Sequence, residues 1–372
     1  MKFSIVREAL LKPLQLVAGV VEKRQTMPAL ANVLIVLEKG VLSLTGTDTE
    51  VEIIGRVALD DANVSSAVDG EVTAPAKKLL DICRSLPDGS ELQFSFGDTK
   101  ATVKCGRSRF TLSTLPASEF PVVESSPGDL GFDIPQADAK RLIEKTSFAM
   151  GQQDVRYYLN GMLWELHDEQ IRVVATDGHR LAMCSRPLEI DVGGKVRQAI
   201  LPRKGVTEFS KLLSQPEEIV QVTLGTNHMR AETKDFVFTS KLIDAQYPDY
   251  QRVIPSGGDK IIVGNRNELK QGFSRASILS NEKYRGVSFV VNQGMLEITA
   301  NNPEQEEAQE QVVVDYNGDQ IEVGFNVSYL LDVANVLDSE MIKITMASNS
   351  SSALIEEPVD GDCLYVVMPM RL

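Results

Sequence analysis

The chain has 372 residues, a formal net charge of −14, 43% hydrophobic and 24% charged residues, a profile of ordinary soluble globular proteins with room for two or three domains. No run approaches about 18 uninterrupted apolar residues, and the charged, alternating start Lys2-Phe-Ser-Ile-Val-Arg-Glu is unlike a secretory leader, so neither a membrane span nor export is expected. Four cysteines (Cys83, Cys105, Cys184, Cys363) without paired spacing and three dispersed histidines (His167, His179, His228) predict half-buried packing residues in a reducing cytoplasm, with no metal or cofactor.

Lys2 to Val6 predicts a strand, followed by a helix over 7–20 with Leu10, Leu14, Val17 and Val21 on one face; Pro13 inside that pattern leaves the helix start open. Asn32 to Asp48 predicts strand, tight turn, strand. Glu71 opens a second strand and a helix over 73–86 carrying Leu79, Ile82, Cys83 and Leu86, with Pro75 where a missing N–H is tolerated. Leu92 to Phe96 alternates as a half-buried antiparallel strand. After a break at 124–129 the order begins again. A strand from Gly131 leads to a helix over 135–148 (Leu142, Ile143, Thr146, Ala149), then strand, turn and strand from Gly161 to Asp177. A helix over 202–215 follows (Val206, Phe209, Leu212, Leu213), with alternating strands at Val220 to Leu224 and Phe236 to Ser240. A second break at 255–259 precedes the third round. This has a strand from Lys260, a helix over 266–279 (Leu269, Phe273, Ala276), strand–turn–strand from Gly286 to Asn301, and a helix over 326–338 (Leu330, Leu331, Ala334, Leu337).

The repeat length of about 125–130 residues is that of a whole domain. Three similar α+β domains are expected at 1–127, 128–253 and 254–372, each of two β-α-β-β-β halves. The charge is unevenly divided. The six predicted helices carry fourteen basic and eight acidic residues, a net +6, which leaves −20 for the remainder. Helices always place some Lys and Arg on a solvated face. The sharper reading is that they share a surface facing a polyanion, although the last helix, at −2, breaks the trend. Phosphate contacts on such a surface would be indifferent to sequence and weakened by salt. No helix-turn-helix, zinc finger or stacking-aromatic cluster is present to read bases.

Several stretches resemble the bacterial sliding-clamp family, the β subunits of DNA polymerase III. They are Asp154-Val-Arg-Tyr-Tyr-Leu-Asn-Gly-Met, Ala175-Thr-Asp-Gly-His-Arg-Leu-Ala, Leu201-Pro-Arg-Lys-Gly-Val, Ser280-Asn-Glu-Lys, Thr299-Ala-Asn-Asn-Pro-Glu-Gln-Glu-Glu-Ala, Gly324-Phe-Asn-Val-Ser-Tyr and Tyr365-Val-Val-Met-Pro-Met-Arg-Leu. The likeness runs the full length. It implies a head-to-tail homodimeric ring with helices inside and sheets outside, enclosing duplex DNA. It also implies a cytoplasmic processivity factor without catalytic activity. The implied partners are the polymerase III α subunit, the clamp-loader δ subunit, other DNA polymerases, ligase and mismatch-repair proteins.

The resemblance implies three sets of residues. A partner-peptide groove is expected from Leu159, Thr176, Gly178, His179, Arg180, Leu181, Pro248, Arg252, Val253, Asn326, Tyr329, Ser352, Val366, Met368, Pro369, Met370 and Arg371. Met368 and Met370 suit an adaptable apolar surface, and Ser350 stands where the family often has an apolar residue. A DNA track is expected from Arg24, Lys78, Arg84, Gln153, Arg156, Tyr157, Tyr158 and Lys204; the two tyrosines read equally well as packing or turn residues. A subunit seam is expected between an edge strand bearing Arg107, Arg109, Phe110 and Leu112 and a complement of Ile278, Leu279, Glu304, Glu306, Glu307 and Glu310. The rival enzymatic reading starts from Asp177 and His179, two apart and so on one face of a strand, with Cys184 nearby. No nucleophile elbow, phosphate loop or metal cluster accompanies them.

Overall fold

The computed structural model describes residues 1–21, 27–58, 67–123, 128–359 and 361–371. Among these, six α-helices form within three residues of the expected ends: α1 (Arg7–Ala18), α2 (Ala76–Ser85), α3 (Gln136–Thr146), α4 (Arg203–Leu212), α5 (Arg266–Ile278) and α6 (Val327–Val336). Each begins on the residue after a strand ends, at Val6, Pro75, Pro135, Pro202, Asn265 and Asn326. Three of these junctions are proline, whose extended φ closes the strand. Asn265 and Asn326 accept from helix N–H groups through their side chains, Asn265 from Asn267 and Glu268 and Asn326 from Ser328. The same strand-to-helix step six times is the structural form of the two-halves-per-repeat pattern.

The chain divides by compactness into two units that cut the middle repeat: residues 1–139 with 204–242, and residues 140–203 with 243–372. The first unit holds an eight-stranded antiparallel sheet in the order Leu130–Pro135, Ile219–Leu224, His228–Glu232, Phe236–Lys241, Val51–Ala58, Val41–Thr47, Asn32–Glu38, Gly70–Pro75. Its other sheet runs Ala67–Val68, Lys2–Val6, Glu91–Phe96, Lys100–Cys105, Ser108–Ser113. The second unit holds twelve strands in the order Arg197–Pro202, Gly161–His167, Gln170–Thr176, Arg180–Pro187, Cys363–Val367, Ala353–Glu356, Met341–Met346, Lys260–Asn265, Glu307–Asp315, Met295–Asn301, Gly286–Asn292, Ile321–Asn326. The division differs from the repeat boundaries for a physical reason. Phe236–Lys241 of the second repeat pairs with Val51–Ala58 of the first, and Cys363–Val367 of the third pairs with Arg180–Pro187 of the second. Backbone hydrogen bonding therefore runs across repeats as continuously as within them.

The first two repeats share their turn chemistry. Thr47 donates to the Val51 carbonyl, and Asp48 accepts from the N–H groups of Glu50 (2.9 Å) and Val51 (2.7 Å). One repeat on, Thr176 donates to the Arg180 carbonyl, and Asp177 accepts from His179 (2.9 Å) and Arg180 (3.0 Å). Asp177 also binds the Arg180 guanidinium at 3.1 Å. Its carboxylate is thus occupied by a turn and an arginine, which accounts for the Asp–Gly–His sequence without acid–base chemistry.

Two sequence expectations change. Cys184 and Cys363 are bonded as a disulfide, not separate packing residues: they face each other directly in the register of neighbouring strands, with Cα atoms 4.0 Å apart. Their separation of 179 residues hides this from any reading of spacing. Cys83 is buried, which pushes its thiol up to about 12. Pro13 does not shift the start of α1: it lies within an unbroken helix and packs on Gly55 of the strand beneath.

Helix α1 approaches its sheet closely at a second glycine. A Cβ on Gly46 would meet the Val17 carbonyl oxygen at 2.5 Å, a contact with helix backbone that no rotamer change relieves. Gly46→Ala is expected to cost about 1–3 kcal/mol by overpacking, seen as a lowered urea midpoint of the full chain; an unchanged midpoint would show that α1 can lift.

Candidate functional site

An apolar cavity of about 150 Å³ opens in the second unit. Its back wall is the core itself: Leu181, Tyr250 and Val366 line the cavity and also belong to a buried cluster with Leu163, Val174, Ile200 and Tyr247. Leu181 and Val366 are cross-strand partners, so the sheet sets their spacing. Met368, whose N–H bonds to the His179 carbonyl at 3.0 Å, forms part of the wall at the chain's end. Tyr158, Leu159, Thr176, Gly178, Pro248, Asp249 and Val253 complete it, with Arg156 and Arg180 supplying the charge.

Both arginines are held. Arg180 pairs with Asp177 and Asp332, donates to the Phe148 carbonyl at 2.7 Å, and lies over the Tyr329 ring at 4.4 Å. Arg156 binds Asp154 at 2.8 Å and the Asp177 carbonyl at 3.1 Å. The hydrogen bonds from Arg156 bring Asp154 down to about 2. Gly178 is required beneath Arg156: its φ is +88°, and an added Cβ would lie 2.8 Å from the guanidinium.

Nine groove candidates line this cavity: Leu159, Thr176, Gly178, Arg180, Leu181, Pro248, Val253, Val366 and Met368. The others stand outside its walls. Tyr329 stacks under Arg180, Asn326 caps α6, and Arg252 pairs with Asp249 at 2.7 Å. Met370 bonds through its N–H to the Gly324 carbonyl, His179 and Arg371 are exposed, and Pro369 and Ser352 are half-buried. Tyr250 and Asp249 were not anticipated. The available signal was a tyrosine pair, Tyr247 and Tyr250, bracketing Pro248 in a stretch without strand or helix periodicity.

The expected DNA-track residues are in varied surroundings. Lys78 and Arg84 are exposed on α2, and Gln153 and Tyr157 are exposed. Arg156 and Tyr158 line the cavity instead. Lys204 is paired with Asp48, so its charge is compensated. Arg24 lies outside the described residues. On α3, Arg141 binds Asp362 through two hydrogen bonds (2.9 and 3.0 Å) and Asp338 at 2.6 Å, while Lys145 binds Asp338 and the Val336 carbonyl. Several cations counted as a helical surplus are therefore spent on internal carboxylates.

The residues expected at the seam lie on or beside two strand edges. Ser108–Ser113 is last in its sheet, with Arg107 and Arg109 exposed, Phe110 half-buried and Leu112 buried. Glu307–Asp315 pairs fully with Met295–Asn301 but with Lys260–Asn265 only at Val314 and Asp315. Beside that edge Ile278 is 74% exposed, Leu279 is half-buried, and Glu304, Glu306 and Glu307 are exposed, while Arg275 pairs with Glu310 at 2.7 Å.

Family models for the DNA polymerase III beta subunit match successive parts of the chain: the N-terminal domain at 1–124, the central domain at 133–249 and the C-terminal domain at 251–371. The chain belongs to the DNA polymerase III beta subunit family. It is 57% identical to the beta sliding clamp of Pseudomonas aeruginosa and 50% identical to that of Escherichia coli K12, each comparison covering 100% of both chains. The solved structure of the Pseudomonas aeruginosa sliding clamp bound to griselimycin superposes with a TM-score of 0.96 over 100% of both chains, at 57% identity. The clamp fold of three similar domains, expected from the repeats together with the family resemblance, is thereby established for this sequence.

Asp362 and Asp338 are partly buried, which raises their pKa, but the arginine and lysine partners outweigh this and hold both carboxyls below the ordinary range. A depressed native pKa contributes stability that is present above the unfolded value, about 3.9 for Asp, and is lost as pH falls through the native value. The melting temperature is expected to begin falling near about pH 4. Arg141→Ala should melt lower at pH 7 and show a shallower acid fall by circular dichroism. Equal slopes would exclude these pairs as the cause.

Proposed function

We propose that the chain is a DNA sliding clamp and processivity factor: two copies close head to tail around duplex DNA and tether the replicative polymerase through short peptides seated in the cavity. It performs no chemistry of its own, in the cytoplasm, and holds its template by enclosure. The polymerase III α subunit, clamp-loader δ subunit, other polymerases, ligase and mismatch-repair proteins would take turns at one surface, because a small apolar cavity with an adaptable methionine accepts varied side chains.

The observation that carries the ring is the pattern of sheet edges. The outer strand of the first repeat's leading half, Val51–Ala58, is paired by the second repeat's trailing half. Arg180–Pro187 is paired in the same way by the third. The next member of this series, Glu307–Asp315, has an open edge, and so does the trailing strand of the first repeat, Ser108–Ser113. A second copy, added head to tail, would continue the series through both. Arg107 and Arg109 on one edge complement Glu304, Glu306 and Glu307 on the other, with Phe110 and Ile278 as the apolar centre. Lys78 and Arg84 remain available for phosphates, a mode that needs no base contact.

Replacing Ile278 and Leu279 together by Ala should give monomers by light scattering and abolish retention of the loaded protein on nicked circular DNA. The parent should be retained on circles and lost from linear DNA. An intact double-alanine dimer would refute the seam. Deleting Met368 to Leu372 should abolish binding of a fluorescent glutamine- and leucine-rich peptide; undiminished binding would remove the cavity from the mechanism.

A further inference from the structure

Behind the cavity lies a polar cluster that the clamp reading leaves without a role. Glu165, at the centre of the strand Gly161–His167, is 4% exposed. Arg172 and Gln198 are its direct cross-strand partners on either side. Gln198 donates to one carboxylate oxygen at 2.8 Å; the other receives the Tyr250 hydroxyl at 2.9 Å, Arg172 at 3.3 Å and the His167 ring at 2.8 Å. Arg172 also donates to the Tyr250 hydroxyl at 2.9 Å, so that oxygen is held from two sides. A buried carboxylate with its acceptor sites filled this fully is rigid, and whatever donates to it is fixed with it.

Tyr250 is the donor that matters for the cavity. It contributes to the back wall and begins the single turn Tyr250–Val253, which with Pro248 and Asp249 forms one side of the opening. Other contacts of this segment are local: Arg252 pairs with Asp249, and the Ile254 N–H bonds to the Gln251 carbonyl. The Tyr250 hydroxyl reaches out of the turn and into the sheet.

We propose that Glu165 is a positioning residue for the groove: through Tyr250 it fixes the back wall and the adjacent rim, so that a partner peptide meets a preformed surface. The inference rests on the peptide-groove reading. Without the carboxylate the aromatic ring keeps its apolar packing but loses the acceptor of its hydroxyl, leaving Arg172 to hold that oxygen from one side only. The rim must then be ordered at the moment of binding, and that loss appears as faster dissociation.

The test uses the full-length protein and a fluorescein-labelled glutamine- and leucine-rich peptide. Glu165→Gln keeps the shape and removes the charge; Tyr250→Phe keeps the ring and removes the hydroxyl. Each is expected to weaken binding about tenfold, mainly in the off-rate, and the double variant no more than the stronger single, because Tyr250→Phe already removes the bond to Glu165. Gly46→Ala, which lowers stability in the other unit, serves as a control and should leave affinity unchanged. Additive losses, or wild-type affinity in both singles, would overturn the proposal. Should Glu165→Gln fail to fold, Tyr250→Phe decides alone: a loss with a faster off-rate supports it, wild-type affinity overturns it. Deleting Met368 to Leu372 in parallel separates the two ideas, since peptide binding that survives this deletion defeats the groove reading itself.

Discussion

A strand that is last in its sheet presents a row of unpaired backbone N–H and C=O groups, and matching those rows organises this molecule. Each half-repeat is too small to close on itself. The chain's solution is to let the outer strand of one repeat's leading half accept the outer strand of the next repeat's trailing half, as at Val51–Ala58 with Phe236–Lys241 and Arg180–Pro187 with Cys363–Val367. The sheets consequently ignore repeat boundaries, and compactness divides the chain into two units where sequence similarity divides it into three. A series that pairs in one direction must end with one open edge of each kind. Full closure alone removes such edges, and for a head-to-tail series closure means a ring.

Charge is distributed less simply than the arithmetic of helices suggests. A surplus of +6 on six predicted helices invites a picture of free cations facing a phosphate backbone. Yet Arg141 and Lys145 on α3 neutralise Asp338 and Asp362, and Lys204 on α4 is paired with Asp48. Such pairs locate helices against their neighbours and contribute little to an external field. On the proposed reading, the cations left for a polyanion include Lys78 and Arg84, exposed on α2. Few such contacts would suit a protein that must move along its template, because each phosphate contact that tightens binding also adds salt dependence.

Much of this was legible in the sequence because local rules act over short spans. The six helices follow from apolar residues at helical spacing, and two of their starts from Pro75 and Pro202 at the junction. The strand–turn–strand stretches ending at Asp48 and Asp177 follow from their repetition along the chain. Pro13 looked like a difficulty and is absorbed by packing on Gly55. The illegible features are those that depend on residues far apart meeting. The Cys184–Cys363 bond closes 179 residues, and Lys204 meets Asp48 across 156 positions of chain. The cavity was readable in part: Val366 and Met368 sit in an apolar stretch, and Leu181 came from the family resemblance. Tyr250 was not, because its value comes from a carboxylate 85 residues earlier.

That last case bears on how a small cavity can serve as a common docking point. Apolar contacts alone are non-directional, and a loose rim would have to be ordered anew by each partner. Here three kinds of fixation converge. The sheet register sets Leu181 against Val366, the Asp177 turn and Asp332 hold Arg180, and the Glu165 cluster holds Tyr250. Against these stands Met368, 39% exposed and unbranched, an apolar wall residue whose flexible side chain can adjust. A surface that is stiff in three places and soft in one can accept peptides differing in a single side chain while imposing one path on their backbones. On the proposed reading, exchange among partners would then be a contest over a few contacts, without any need to remodel the protein between them.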